Sequence, residues 1–216
     1  MSGADHTVLE GAEVDTPARG TRGEHLMQQE LGTECRAQRF YAHQMCRVLH
    51  PAMIEFIDRM ELLFIGTAAA DGSCDVSLRA GPPGFIHVFS PDLLGYPEYR
   101  GNGVMASLGN IVENPHIGLF MADFADDLIG LHVNGTARIV ADDELRRTQP
   151  DLPLERVRDR AAERWVLVQV DEAYIHCRKH IPQMVSVPRD RDWGTDDQRR
   201  KGGDYFGVAA DRTGHP

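Results

Sequence analysis

Tyr99-Arg100-Gly101-Asn102-Gly103-Val104-Met105-Ala106-Ser107-Leu108-Gly109-Asn110-Ile111-Val112-Glu113-Asn114-Pro115 separates two extended segments, and the reading of the whole chain turns on it. Leu93 to Glu98, just before it, has the character of a strand. Gly101 and Gly103 loosen the backbone around Asn102, a residue type that caps helices by accepting a bond from a free N–H. Val104, Leu108 and Ile111 then recur at helical spacing, and the helix must stop before Asn114-Pro115. Strand character resumes in His116-Ile117-Gly118-Leu119-Phe120-Met121. A turn of this kind offers free N–H groups at a helix start beside the Arg100 guanidinium, which suits an anion such as a phosphate. Glycine-rich turns before helices are common and most bind nothing, so the surrounding chain has to carry the reading.

Upstream lies a dense series of strands. Leu62 to Ala68 is short and apolar, and it ends near Asp71-Gly72, a favoured hairpin turn. The return strand, Cys74 to Ala80, alternates: Cys74, Val76, Leu78 and Ala80 on one side, Asp75, Ser77 and Arg79 on the other. Gly81-Pro82-Pro83-Gly84 breaks it, and Phe85–Ser90 with Leu93–Tyr96 predicts a second hairpin around Pro91-Asp92. Downstream, Asp126-Asp127 marks a turn, and Ile129 to Val140 is a long strand with a bend at Gly135. Asp142 to Arg160 reads as a polar loop with a turn or two of helix, and Trp165 to Asp171 as a last strand running on to Cys177. At least six strands joined mostly by short turns predict a closed antiparallel barrel.

The flanks differ in kind. Residues 1–23 read as a mobile leader, and 24–60 as a helical extension broken at Gly32-Thr33. Thr33 is the expected N-cap of a helix carrying Phe40 or Tyr41, then Met45, Val48 and Leu49, and Pro51 opens another with Met53, Phe56, Ile57 and Met60 on one face. Both are expected to pack outside a sheet. Residues 61–183 make the barrel and 184–216 a charged tail, whose Trp193, Tyr205 and Phe206 favour docking near the site.

Composition narrows the function. A net charge of -10 opposes binding to phosphate backbones, while leaving room for one local basic pocket. No apolar run approaches a membrane span and the start lacks a secretory pattern, so the expected location is cytoplasmic. Cys35, Cys46, Cys74 and Cys177 are scattered, without the spacing of a disulfide framework or zinc site. Neither a nucleophile elbow nor a Walker loop is present. His176, Cys177 and His180 lie at a strand end with no carboxylate at suitable spacing, so no metal is expected there. What remains is a pair of arginines, Arg79 and Arg100, that a barrel can bring together around a phosphorylated planar cofactor.

From Leu62 to about Cys177 the chain resembles the pyridoxamine 5′-phosphate oxidase-related proteins, a flavin-binding split-barrel family. The resemblance is carried by Asp71-Gly72, the strand with Ser77 and Arg79, the Gly-Pro-Pro-Gly break, Tyr99-Arg100-Gly101-Asn102, Ser107 to Ile111 before Asn114-Pro115, and Val133 to Ala137. It implies a mainly β fold, a six-stranded antiparallel split β-barrel of Greek-key type with flanking N-terminal helices. It also implies a homodimer with FMN at the interface. Arg79 and Arg100 would take the phosphate, with Asn102 and Ser107 on the phosphate or ribityl chain, Ser77 beside the ring, and Tyr99 and Gly101 completing the turn. The oxidase proper has a serine-arginine-lysine run at the helix start, where this chain has Met105-Ala106-Ser107. That departure points away from pyridoxamine phosphate itself. The function expected is an FMN-dependent oxidoreductase acting on a small organic substrate, with no nucleic-acid or membrane partner and no catalytic side chain identified. Its rivals are a non-catalytic protein that binds flavin, deazaflavin F420 or haem, and an empty structural dimer.

Overall fold

The computed structural model describes residues 19–152, 157 and 160–213, so most of the leader lies outside the described residues. The chain divides into two units at Gln44/Met45, ahead of the boundary after residue 60 expected from the sequence. The first unit is a pair of helices, α1 (Arg22–Leu31) and α2 (Glu34–His43). Thr21 caps α1 by accepting from the Glu24 N–H at 3.1 Å. The Tyr41 hydroxyl on α2 donates to the Glu24 carboxylate and accepts from the Gln28 amide, both at 2.7 Å, which ties the two helices together. Thr33 occupies the N-cap position of α2, but its side chain makes no capping bond.

Helical spacing does not carry α2 through Met45, Val48 and Leu49. Met45–Cys46 instead form a short strand, β1, paired with Tyr174 and Ala173, and the Leu49 N–H donates to the Pro91 carbonyl at 2.7 Å. Sheet pairing has overridden the local period. Next comes α3 (Pro51–Asp58), with Pro51 in its first turn and His50 Nδ1 accepting from the Ala52 N–H. Phe56 and Ile57 enter the main core, so α3 belongs to the sheet unit.

The strands that follow are β2 (Leu62–Ala68), β3 (Cys74–Ala80), β4 (His87–Ser90), β5 (Leu93–Tyr99), β6 (His116–Ala122), β7 (Gly130–Ala141) and β8 (Ala162–His176). Helix α4 (Ala106–Glu113) lies between β5 and β6, α5 (Asp142–Thr148) between β7 and β8, and α6 (Val208–Thr213) near the end of the tail. The hairpins around Asp71-Gly72 and Pro91-Asp92 both form, the first in one unbroken register and the second with a shift between Val88 and Ser90. All pairings are antiparallel, in the order β3-β2-β6-β7-β8-β5-β4 with β1 on β8. Eight strands form where the resemblance implied six; of the short ones, β4 lies in the hairpin expected over Phe85–Tyr96 and β1 is new, and the class is the mainly β split barrel. The barrel is not closed by backbone: among the described residues no ladder joins β3 to β5 or β4.

The interior is filled by Leu63, Ile65, Leu94, Tyr96, Leu119, Met121, Val133, Val166 and Val168, all essentially inaccessible. One irregularity lets β8 serve this core along its length. Its register with β7 slips between Asn134↔Glu172 and Gly135↔Val170, leaving Asp171 as an extra residue. Val166, Val168 and Val170 point inward before the bulge and Ala173 after it, a change of parity that an unbroken strand could not make. Gly135 sits at the slip, packed so closely on the Gln169 carbonyl that a Cβ has no room, which fits the bend expected there. On its other side β8 buries Trp165 and Leu167 in a smaller core with Val140, Leu145 and Leu152. The Trp165 indole N–H donates to Asp142 at the start of α5 at 2.8 Å.

The outer face of the sheet carries an apolar row read directly from the registers: Leu78, Phe64, Phe120, His132, Tyr174, Met45. Phe120 packs on His132, and His132 stacks on Tyr174 with ring centroids 4.8 Å apart. His132 Nε2 lies 3.1 Å from His176 Nδ1, and burial followed by the neighbouring ring holds His132 below the usual imidazole range. Beside this row Gly66 and Gly118 floor a groove of about 420 Å³. Val76 and Leu78, next to it on β3, are exposed. Among the described residues no helix is long and apolar enough to cross a membrane.

Candidate functional site

The split in the barrel is where the site forms. β3 turns its polar side, Asp75, Ser77 and Arg79, toward the opening, while its apolar side is the exposed one. From across the gap β5 presents Glu98, and Arg79 Nε donates to Glu98 Oε1 at 2.8 Å. This ion pair bridges strands that share no hydrogen-bonded ladder, with side-chain exposures of 18% and 10%. Burial pushes the Glu98 carboxyl up, against the opposing pull of Arg79. Tyr96, two residues back on the same face of β5, has the only buried side-chain polar atom without a partner among the described residues.

Helix α4 closes one end of the opening. Asn102 does not cap it: the Asn102 side-chain oxygen accepts from the Val104 N–H at 3.0 Å, making a tight turn before the helix. The chain then passes through Gly103 at φ 82° and Met105 at φ 57°, and the helix begins at Ala106 with Met105 in the N-cap position and no side-chain cap. A glycine tolerates that conformation and a methionine does so at a cost, so the turn stores strain where the site lies. Ile111 packs inward as expected from the spacing, whereas Val104 is exposed. Asn110 holds the helix to the sheet by donating to the buried Thr67 hydroxyl at 3.0 Å.

Ser77, Arg79, Tyr99, Arg100, Gly101, Asn102 and Ser107 all line one cavity of about 580 Å³. The structure therefore brings together every residue singled out in the sequence. Three of them already hold partners within the chain, Arg100 through Asp196 at the exposed mouth and the other two inside. Arg79 is committed to Glu98, and the Ser107 hydroxyl donates to Asp75 Oδ2 at 3.0 Å. Arg100 stands at the mouth, and the uncapped first turn of α4 borders the same cavity. That donor set, with the Ser77 hydroxyl and the open backbone at Gly101, where a Cβ would meet nothing, fits a phosphate-bearing group.

Other wall residues carry little signal in the sequence. Asp75 and Glu98 are two of 33 acidic residues, and only their pairing across the split marks them. Trp193, from the tail, lines the cavity with its ring centroid 5.3 Å from that of Tyr99. Of the other tail aromatics expected to favour docking, Tyr205 and Phe206 meet edge to face and are exposed. His176 ends β8, with Cys177 and a 3-10 turn over Arg178–His180 beyond it, and no group of three metal-ligating side chains gathers among the described residues.

An antiparallel barrel opened at one seam, with an anion-ready turn and a short helix at the seam, defines the split-barrel class of ligand-binding proteins. The chain belongs to the pyridoxamine 5′-phosphate oxidase family, whose model matches residues 49–177. Similar solved structures include a pyridoxamine 5′-phosphate oxidase homologue from Lactobacillus delbrueckii, 19% identical, covering 61% of this chain and 98% of its own at a TM-score of 0.46. Group A Streptococcus HupZ is 16% identical over 63% of this chain and 99% of its own, at 0.43. HutZ, the heme storage protein from Vibrio cholerae, is 15% identical over 60% and 94%, at 0.39. At these scores the neighbours say nothing about this chain's chemistry. No curated protein matches it.

Proposed function

We propose that the cavity binds FMN and that the protein is an FMN-dependent oxidoreductase acting on a small organic substrate. The observation that carries this is the convergence of Arg100, Ser77, Asn102 and the uncapped start of α4 on one cavity at the barrel seam. Arg100 and the first N–H groups of α4 hold the phosphate, and Asn102 shapes the turn that presents them. Tyr99, Gly101 and Ser77 border the rest of the ligand, while Arg79 and Ser107, engaged with Glu98 and Asp75, fix the wall behind it. When bound, FMN supplies hydride-transfer chemistry, and the chain's part is to position and electrostatically tune it.

The test is the absorption spectrum of the purified protein, repeated after adding FMN and desalting, on wild type and Arg100→Ala. A retained flavin spectrum upholds the reading. Loss of a charged hydrogen-bonding partner weakens binding by about 1.5–3 kcal/mol, roughly a ten- to 150-fold rise in Kd. Equal affinity in the two proteins removes the phosphate from Arg100. A protein that refuses FMN but takes F420, or shows a Soret band, moves the reading to that cofactor.

A second reading, a non-catalytic binding protein, is favoured by Trp193, which stands where an enzyme needs room for substrate. Reduced flavin on the protein decides between them: an enzyme reoxidises it faster than free reduced FMN reacts with the same acceptor, and with a saturable dependence on that acceptor. Either protein is expected to be a homodimer. The apolar row along the outer sheet face, with exposed Val76 and Leu78 at its edge, suits a two-fold interface, and the family places its cofactor between subunits. Sedimentation should give twice the chain mass, and a monomer that retains flavin contradicts the assembly.

A further inference from the structure

The tail reaches the site through a turn. The Thr195 N–H faces the Asp192 carbonyl, and Gly194 takes φ 62°, so Trp193 and Asp196 lie on either side of a reversal of the chain. Trp193 packs edge-on against Tyr99, with the guanidinium of Arg160 5.2 Å and that of Arg191 5.7 Å from its ring centroid. Asp196 Oδ2 accepts from Arg100 Nη2 at 2.7 Å. Arg100 is thus joined to a carboxylate of the chain itself, at the position where the functional reading puts the ligand's anion.

We propose that Asp196 is an internal stand-in for the ligand anion, and that an incoming phosphate takes Arg100 by displacing it. Trp193 and Asp196 are then affinity-determining residues of the site. The proposal rests on the reading of the cavity as a phosphate-bearing cofactor site. Three physical points support it. A phosphate monoester carries about 1.5 to 2 negative charges near neutral pH and binds a guanidinium through two oxygens, so it outcompetes a single carboxylate bond. The two anions repel each other at one guanidinium, which disfavours a shared arrangement. The Arg100–Asp196 pair is also exposed, with side-chain exposures of 56% and 69%, so it closes weakly and exchanges readily.

Weak closure sets the size of the effect. An exposed ion pair favours the closed state by no more than about fivefold, and apparent affinity falls by the fraction of chains that are open. Removing the carboxylate therefore tightens anion binding by roughly two- to sixfold. Arg191, Arg199, Arg200 and Lys201 are exposed already, and release of the tail loosens the backbone around them, which is the local opening that a protease needs in order to cut.

The experiment compares full-length wild type, Asp196→Asn and Arg100→Ala, with FMN affinity read by titration and tail release by the rate of tryptic cleavage after those basic residues. The expected results are two- to sixfold tighter FMN binding by Asp196→Asn, faster cleavage of the wild-type tail when FMN is saturating, and fast cleavage of Asp196→Asn with or without FMN. Unchanged or weaker FMN binding by Asp196→Asn overturns the proposal, as does cleavage of the wild-type tail that ignores FMN. If FMN binds none of the proteins, the cofactor reading falls and inorganic phosphate becomes the probe. Phosphate-accelerated cleavage in wild type but not in Arg100→Ala upholds the exchange, and cleavage indifferent to phosphate overturns it.

Discussion

Arg79→Met is expected to cost about 3–5 kcal/mol of folding stability near pH 8, and distinctly less near pH 5. The reason lies in Glu98, which faces the barrel seam almost without solvent and has Arg79 as its one ionic partner among the described residues. Its carboxyl already sits above the usual range because burial outweighs the arginine. Such a group contributes stability that is fully present below the unfolded pKa, about 4.3 for a glutamate, and is lost as pH rises through the folded value. Without Arg79 the folded value moves further up. Below the unfolded value the carboxyl is neutral in both states and the substitution strands no charge, and near pH 5, just above it, the folded variant keeps its proton at little cost. At higher pH the folded variant must hold an unpaired carboxylate or take up a proton, and the penalty grows. Urea unfolding at the two pH values measures this, and an equal loss at both reduces Arg79 to a packing stem. Removing both partners, as Arg79→Met with Glu98→Leu, should recover most of the loss, because no buried charge is then left unpaired.

Gly135→Val should be nearly as severe, roughly 3 kcal/mol, for a purely steric reason. The slip in register between β7 and β8 brings the Gly135 Cα onto the Gln169 carbonyl, and the Val168 side chain closes the remaining space. An added side chain has to push apart the two longest strands of the barrel. Gly101→Ala is the matched control: a Cβ there meets nothing within 4 Å, so its stability should stay within about 0.5 kcal/mol of wild type. Thermal unfolding of the two variants side by side checks the assignment. A Gly135→Val protein as stable as the control would mean that the bulge relaxes without cost.

What the sequence disclosed was local. Asp71-Gly72, Pro91-Asp92 and Asn114-Pro115 act through their own backbone preferences, and the elements they separate appear where expected. The cofactor residues were legible because they fall on three pieces of chain close in sequence, β3, the end of β5 and the turn into α4. The partners that decide their state were not. Glu98 and Asp196 meet their arginines across separations of 19 and 96 residues, in a chain where carboxylates are everywhere. The helix start was misplaced for a related reason. Asn102 offers a capping side chain, but its oxygen is used two residues on, at Val104, and the strained Met105 leads into the helix. The change of parity at Asp171 gives no signal in composition, since the residues on both sides are compatible with either face.

The seam of the barrel also sets the ligand's surroundings apart from the main core. No member of the buried core cluster lines the cavity, and the cavity wall is built from one strand edge, one turn, one helix start and a tail residue. Substitutions at Ser77, Asn102 or Trp193 therefore reshape the ligand's surroundings without touching that cluster, whereas Arg79 and Glu98 belong to the wall and to the stability of the seam at once. The guest is set mainly by the rim of turn, helix start and tail, while the Arg79–Glu98 pair behind it fixes the seam that any guest must fit.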